Sequence, residues 1–429
     1  MKTKNLTTKI LLTFFLFLLS SFSFAQWKPQ TSGTTENLAS IYFTDTLNGW
    51  AVGGNGTILN TDDGGENWEE QTIGTDNYLQ DVFFADSTHG WIVGSVGPWA
   101  GMGLLYRTLD GGNNWEDMGI ESFPSNGIFF TDTLNGWSVG FPNINRTYDG
   151  GETWEIQFVL PPDFSTAHSV CFTDSLNGWV SGGHSVGSTG HTWGYILHTN
   201  DGGNTWDYQF YGGGHDGCKL HSICFTDSLK GWSAGGGWGY RGIILKTTNG
   251  GNNWDTSYFN NSSTLHSINF ADSFNGWAVG SNGSIISTTD GGNTWESDTS
   301  NTSYSLNSVY FTENGYGWIV GDGGTILNTD YSQIVGLDEP GVQSLKSGIR
   351  CYPNPFSSSA TIEYELTQPD KMEIKIYNQT GQVIEQIIRE KGQKGKNNFL
   401  WQTKDLPSGI YFIQLQFGNE VVTKKMIKL

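Results

Sequence analysis

The chain has 429 residues, of which 59 are Gly and 18 are Trp, and it carries a formal charge of −20. So much Gly with only 11 Pro excludes collagen and Pro-rich disorder, and an aromatic content of 14% excludes intrinsic disorder. The charge is concentrated: residues 26–335 hold 32 Asp and Glu against 7 Lys and Arg, a balance that repels nucleic acid and anionic lipid.

The N-terminus reads as an export signal. Residues 1–9 are basic, 10–19 form a short apolar run, and Ser23-Phe24-Ala25 puts small residues where a signal peptidase reads. Residues 1–25 are therefore expected to be removed, leaving Gln26 first. Beyond residue 25 no stretch approaches 18 consecutive apolar residues, so no transmembrane helix is expected in the mature chain. Cys171, Cys218, Cys224 and Cys351 are too few for a disulfide framework and lack the paired spacing of a zinc site.

Residues 26–331 form a repeat. Gly-Trp pairs end at Trp50, Trp91, Trp137, Trp179, Trp232, Trp277 and Trp318. Each follows an apolar strand and an Asp turn, as in SIYFTDTLNGW (40–50). Two further short strands follow, the last introduced by a turn T-x-D-G-G-x-[TN]-W, present six times between Thr61 and Trp295, with Asn249 once in place of Asp. Four short strands in about 45 residues are the signature of a propeller blade. The seventh unit lacks its turn and its fourth strand. Trp27-Lys28-Pro29-Gln30-Thr31 supplies the strand, because it matches Trp68-Glu69-Glu70-Gln71-Thr72 and precedes the next strand by the same interval. The expected fold is all-β: a seven-bladed β-propeller closed by N-terminal strand 26–32. In the turn the Asp side chain accepts backbone N–H bonds and the glycines take φ > 0, so both recurrent motifs are expected to serve folding.

The turn resembles the Asp-box of the bacterial neuraminidase repeats, and the whole unit resembles that of the photosystem II stability/assembly factor-like propellers. That resemblance implies a propeller over residues 27–331 and a family that contains non-enzymatic assembly factors. It does not fix function. A sialidase would be expected to carry an Arg cluster, yet the body holds only Arg107, Arg146 and Arg241 and no F-R-I-P-like segment. A glycosidase of any kind needs two carboxylates facing a cleft.

Candidate ligand residues come from insertions. With strands lettered A to D outward from the axis, the A–B and C–D turns barely vary, whereas the opposite face carries inserted B–C loops at 95–103, 184–194 and 235–242 and a long D–A connection at 211–220. These supply Trp99, His184, His191, Trp193, His215, Trp238, Tyr240 and Arg241. Aromatic and His side chains on a rigid scaffold suit a sugar ring or a protein partner; local packing of Gly-rich loops is the alternative. At the start of strand A the blades align Ala39, Gln80, Asn126, His168, His221, His266 and Asn307. His168, His221 and His266 stand in adjacent blades, where they are either ligands to a divalent metal or polar residues lining a wet channel. No other cofactor is expected. A second column, Asn60, Arg107, Arg146, His198, Lys246, Ser287 and Asn328, places cationic residues in blades 2 to 5, for an acidic partner or for balance against the turn Asp residues.

After a linker at 332–349, alternating apolar strands appear at 360–366, 372–378, 409–415 and 421–429, the pattern of a small antiparallel β-sandwich. Tyr352-Pro353-Asn354-Pro355-Phe356, Asn378 with Gly381, Gly409-Ile410-Tyr411 and the terminal KMIKL together resemble the type IX secretion C-terminal sorting domain of Bacteroidota, over residues 350–429. The resemblance implies passage through the periplasm to the outer surface or the medium, by way of the type IX machinery. The body is then expected to be a monomeric, non-catalytic module that binds a protein or glycan. The alternative is a secreted glycoside hydrolase, sialidase-like or otherwise glycan-cleaving.

Overall fold

The computed structural model describes residues 27–330 and 345–428, apart from 98–101, 122–123, 162–165, 187–190, 215–216, 238–240, 261, 313–314, 353–358, 367–371, 379–381, 390–394, 403–405, 408 and 418–419. The expected signal peptide lies outside the described residues. The chain divides into two compact units, Met1–Gly336 and Leu337–Leu429. Both are all-β, and the described residues contain no helix longer than a three-residue 3₁₀ turn.

Unit 1 is built from seven antiparallel four-stranded sheets, the arrangement of a β-propeller. Six of them each use four consecutive strands, as in blade 1: Leu38–Phe43, Gly49–Gly53, Ile58–Thr61 and Glu69–Gln71. The seventh joins Leu306–Phe311, Tyr316–Gly321 and Thr325–Asp330 to the N-terminal strand Lys28–Gln30, with Lys28 opposite Asn328 and Gln30 opposite Ile326.

The recurrent residues explain why each unit folds alike. In the first C–D turn, Thr61 Oγ1 accepts from Gly65 N at 2.8 Å and donates to Asp63 Oδ1 at 2.9 Å. Asp63 in turn accepts from Asn67 N and Asn67 Nδ2. Gly64 and Gly65 have φ of +78° and +89°, which an L side chain resists. The same bonds recur around Asp149, whose carboxyl the Thr153 side chain and backbone hold down at about 2. Each Gly-Trp indole lies flat on a Phe of the next blade's strand A. In all seven blades the centroids are 3.6–4.0 Å apart, including Trp318 of blade 7 on Phe43 of blade 1. Each of those Phe rings also meets the edge of a second Trp at 5.8–6.2 Å; Trp27 fills that place in blade 7. Fourteen of the 18 Trp are thus bound up in inter-blade packing, worth several kcal/mol each.

Unit 2 has a three-stranded sheet (Leu345–Tyr352, Ser359–Leu366, Gly395–Gln402) and a four-stranded sheet ordered Val383–Arg389, Met372–Asn378, Gly409–Phe417, Glu420–Lys428. Its first strand begins at Leu345, inside the segment expected to be linker, and two of its strands, 383–389 and 395–402, carry no clear alternation in sequence. Alternate residues of both sheets, among them Ile362, Trp401, Ile374, Ile413 and Met426, share one buried core. Tyr411 Oη donates to Pro407 O at 2.6 Å, so the Leu-Pro-Ser-Gly-Ile-Tyr motif fastens its own turn. Backbone atoms of Tyr352 pair with Thr361, and Gly409 pairs with Lys428. Pro353, Asn354, Pro355, Phe356 and Gly381 lie outside the described residues.

Candidate functional site

Blade 4 departs from the repeat. Its strands B, C and D run Gly178–Val186, His191–Thr199 and Asp207–Gly214, nine, nine and eight residues against three to five in blade 6. The segment expected to be a loop at 184–194 is mostly paired strand, because the hairpin simply continues: His184 faces Trp193 and Val186 faces His191. Side chains two apart on a strand share a face, so Trp193 lies on the same face as Tyr195, which is buried in the core with Trp137 and Ile144 of blade 3. Above that core, His184, Trp193 and Tyr211 form a near-parallel group. His184 and Trp193 are 6.3 Å apart at 6°, Trp193 and Tyr211 5.5 Å at 19°, and His184 and Tyr211 5.8 Å at 25°. Tyr208 meets Tyr211 edge-on at 5.9 Å. His184 is buried, while Tyr208 and Tyr211 are 43% and 56% exposed. The result is a partly wet aromatic platform on rigid strands.

The two tyrosines were not singled out from the sequence. The signal was present in the 53-residue interval from Trp179 to Trp232, the longest of the repeat, but a bulge beside Ile196 and Leu197 puts Tyr208 and Tyr211 on one side. Of the other expected ligand residues, Arg241 opens strand C of blade 5 opposite Gly237 and is half-buried. The backbone of His191 pairs as above. Trp99, His215, Trp238 and Tyr240 lie outside the described residues.

The His column has a structural cause. In all seven blades the A–B register shifts at that one residue, so Ala39, Gln80, Asn126, His168, His221, His266 and Asn307 are each the extra residue of a β-bulge. Three of these side chains clasp the next blade. Asn126 Nδ2 donates to Ala167 O, Asn307 Nδ2 to Leu38 O, and His266 Nδ1 lies 3.1 Å from Leu306 O. His168 and His221 stand 5.1 Å apart, and His221 and His266 6.2 Å. Among the described residues no three His, Cys, Asp or Glu side chains form a group that could hold a metal ion. Protein crowds the rings although water reaches part of each. This desolvation, with the Lys219 charge, pushes His168 down to about 4 and His221 well below its usual value; desolvation also lowers His266.

The cationic column ties blades together. Arg107 pairs with Glu116 at 3.0 Å and with Glu152 of blade 3 at 2.8 Å. Arg146 donates to Gly202 O in the blade 4 turn and lies over Trp137 and Tyr148. Lys246 donates to Asn293 of blade 6, while His198 lies tilted beside Trp179 of its own blade. The direct partners are Glu side chains, an amide and a carbonyl, and Lys246 also feels the charge of the turn residue Asp290.

The fold and its recurrent clasps define a repeat propeller joined to a second β unit. Residues 19–122, 67–160 and 253–333 match the family model described as photosynthesis system II assembly factor YCF48, and residues 350–429 match that of the secretion system C-terminal sorting domain. The chain belongs to the YCF48-type BNR-repeat family and carries a sorting domain that indicates export by type IX secretion. No curated protein matches it in sequence. Among solved structures, "YCF48 bound to D1 peptide" is 22% identical, with a TM-score of 0.56, over 72% of this chain and 97% of that one. PorZ, a surface component of the type IX secretion system of Porphyromonas gingivalis, is 15% identical with a TM-score of 0.50, over 95% of this chain and 60% of its own. The GH74 enzyme of Niastella koreensis is 13% identical with a TM-score of 0.57, over 92% and 67%. At these identities the likeness is one of fold. The repeat matches skip residues 161–252, which hold blade 4 and the first three strands of blade 5, where the platform and two of the three His residues lie.

Proposed function

We propose that the chain is a surface-exposed or secreted recognition module of Bacteroidota, a closed seven-bladed propeller that binds a protein or glycan and is exported by a C-terminal β-sandwich. The observation that carries the binding role is the platform of His184, Trp193 and Tyr211. Fourteen indoles are accounted for by packing, yet Trp193 stands outside that set, only partly buried, against a Tyr211 that is more than half exposed. Flat aromatic surface suits a sugar ring or an extended peptide. Trp99, His191, His215, Trp238, Tyr240 and Arg241 come from the inserted or long connecting segments of the same sequence repeat and are the next residues to test. The pairing of Lys28–Gln30 with Thr325–Asp330 and the stack of Trp318 on Phe43 support the closed ring. The family relative bound to a D1 peptide makes a peptide the first ligand to try.

Two measurements test the reading. The mature chain should retain a defined glycan on an array, or a single protein partner in pull-down, and lose it in Trp193→Ala; hydrolysis of any glycan would overturn the non-catalytic role. Deleting residues 350–429 should strand the body in the periplasm, and continued export would contradict the sorting role.

A further inference from the structure

We propose that Lys219, His168 and His221 form a second binding site, a basic recess at the start of the innermost strands of blades 4 and 5 that takes one carboxylate of a protein partner. It stands independently of the aromatic platform.

Residues 26–335 contain only seven Lys and Arg. Arg107, Arg146 and Lys246 are committed to neighbouring blades, and Lys230 lies over Phe274. Lys219, half-buried in a strongly acidic body, has no ion pair or hydrogen bond among the described residues. Its stem lies on Gly183, where a Cβ would come within 2.7 Å of Lys219 Cγ; glycine makes the room. Beside it the bulge clasp is interrupted. Asn126, His266 and Asn307 hold the next blade, whereas His168 and His221 make no such bond, and His168 Nε2 is buried without a partner. His168 and His221, from Thr166–Phe172 and Cys218–Phe225, stand 5.1 Å apart, and the charge of Lys219, two residues before His221 on the same strand, reaches both rings. The nearby carboxylate of Asp322 acts on His266 and not on the other two.

The charge selects the ligand. At pH 7.5 an ammonium and two neutral imidazoles amount to one positive charge with N–H donors to spare. A single carboxylate matches it, with Lys219 as ion pair and an imidazole N–H as second donor; a phosphate dianion would bring a second, unmatched charge. An acidic surface repels free anions at long range, so the carboxylate is one held in place by a bound chain.

The test uses the full mature chain with ¹⁵N-labelled histidine, at pH 7.5 and fixed ionic strength. N-acetylglycine and acetate should shift the His168 and His221 signals saturably, with chloride inert and phosphate weaker. Lys219→Met, which keeps the stem, should weaken the response at least tenfold, and Lys219→Arg should retain it. Lys219→Gln repeats the loss should the Met variant fold poorly. Absence of a saturable shift, an undiminished response without the ammonium, or tighter binding of phosphate would each overturn the assignment.

Discussion

Blades 4 and 6 share one half and differ in the other. Both place a Gly-Trp indole on the next blade's Phe, 3.7 Å for Trp179 on Phe225 and 3.9 Å for Trp277 on Phe311. Both close the C–D turn with the same Thr and Asp bonds, at Thr199 and Asp201 and at Thr288 and Asp290. At the opposite end blade 6 stops at a tight turn, Ser281–Gly283, while blade 4 continues for four more residues on its second and third strands. The turn end carries the fold and repeats because every blade must pack in the same way. The other end packs only locally, on blade 5, where Thr192 donates to Gly217 O and Gly183 seats the Lys219 stem, so its residues need not follow the repeat.

The largest effect belongs to the repeated end. Trp318 is buried, stacks on Phe43 at 3.6 Å and donates to Gly64 O at 3.0 Å across the junction of blades 7 and 1. Trp318→Ala should cost about 3–5 kcal/mol, read as a drop in thermal midpoint. A cost under about 1 kcal/mol would mean that the junction bears little of the fold.

The inner strands offer a smaller, pH-dependent effect. Asp81 holds the position that Ser169, Ser222 and Ser267 hold in later blades, accepting from Ser40 Oγ at 2.7 Å and from Ile128 N at 3.0 Å. Burial pushes its carboxyl up to about 6. A pKa raised by folding stabilises fully below the unfolded value near 4 and loses that contribution as pH rises through 6. Asp81→Asn does not titrate. Its thermal midpoint relative to wild type should therefore rise between pH 4 and pH 6 and then level, by at most about 3 kcal/mol. A pH-independent difference would show Asp81 to be ordinary. His168 has the opposite sign: pushed down to about 4, it withdraws stability as pH falls from 6.5 towards 4.

What repeats was legible. The Trp27 match located the fourth strand of blade 7, since an indole needed against Phe311 could come from nowhere else in that unit. The alignment of strand A put one finger on every bulge, yet it left metal ligands and channel-lining polar residues both open, because sequence shows a column of His and not the direction in which each ring leans. The inserted segments were found but read as loops. Gly-rich composition, as in 182–183 and 212–214, masks a hairpin whose glycines admit Tyr195 and Lys219 from neighbouring strands. Tyr211 was missed because a bulge reverses alternation, and a bulge leaves no residue-type mark.

The smallest effect on stability should accompany the largest on binding. Trp193 and Tyr211 touch each other and His184 but stand above the shared core, and Tyr211 is more than half exposed. Trp193→Ala or Tyr211→Ala should shift the thermal midpoint by less than the equivalent of about 1 kcal/mol, as surface changes do. Removing one ring from a platform that stacks a ligand should still weaken binding at least tenfold, since such anchors carry about 2 kcal/mol or more. The two numbers must separate. A variant that destabilises as much as Trp318→Ala would make the platform part of the core, and one that changes neither would leave the length of blade 4 without a purpose in recognition.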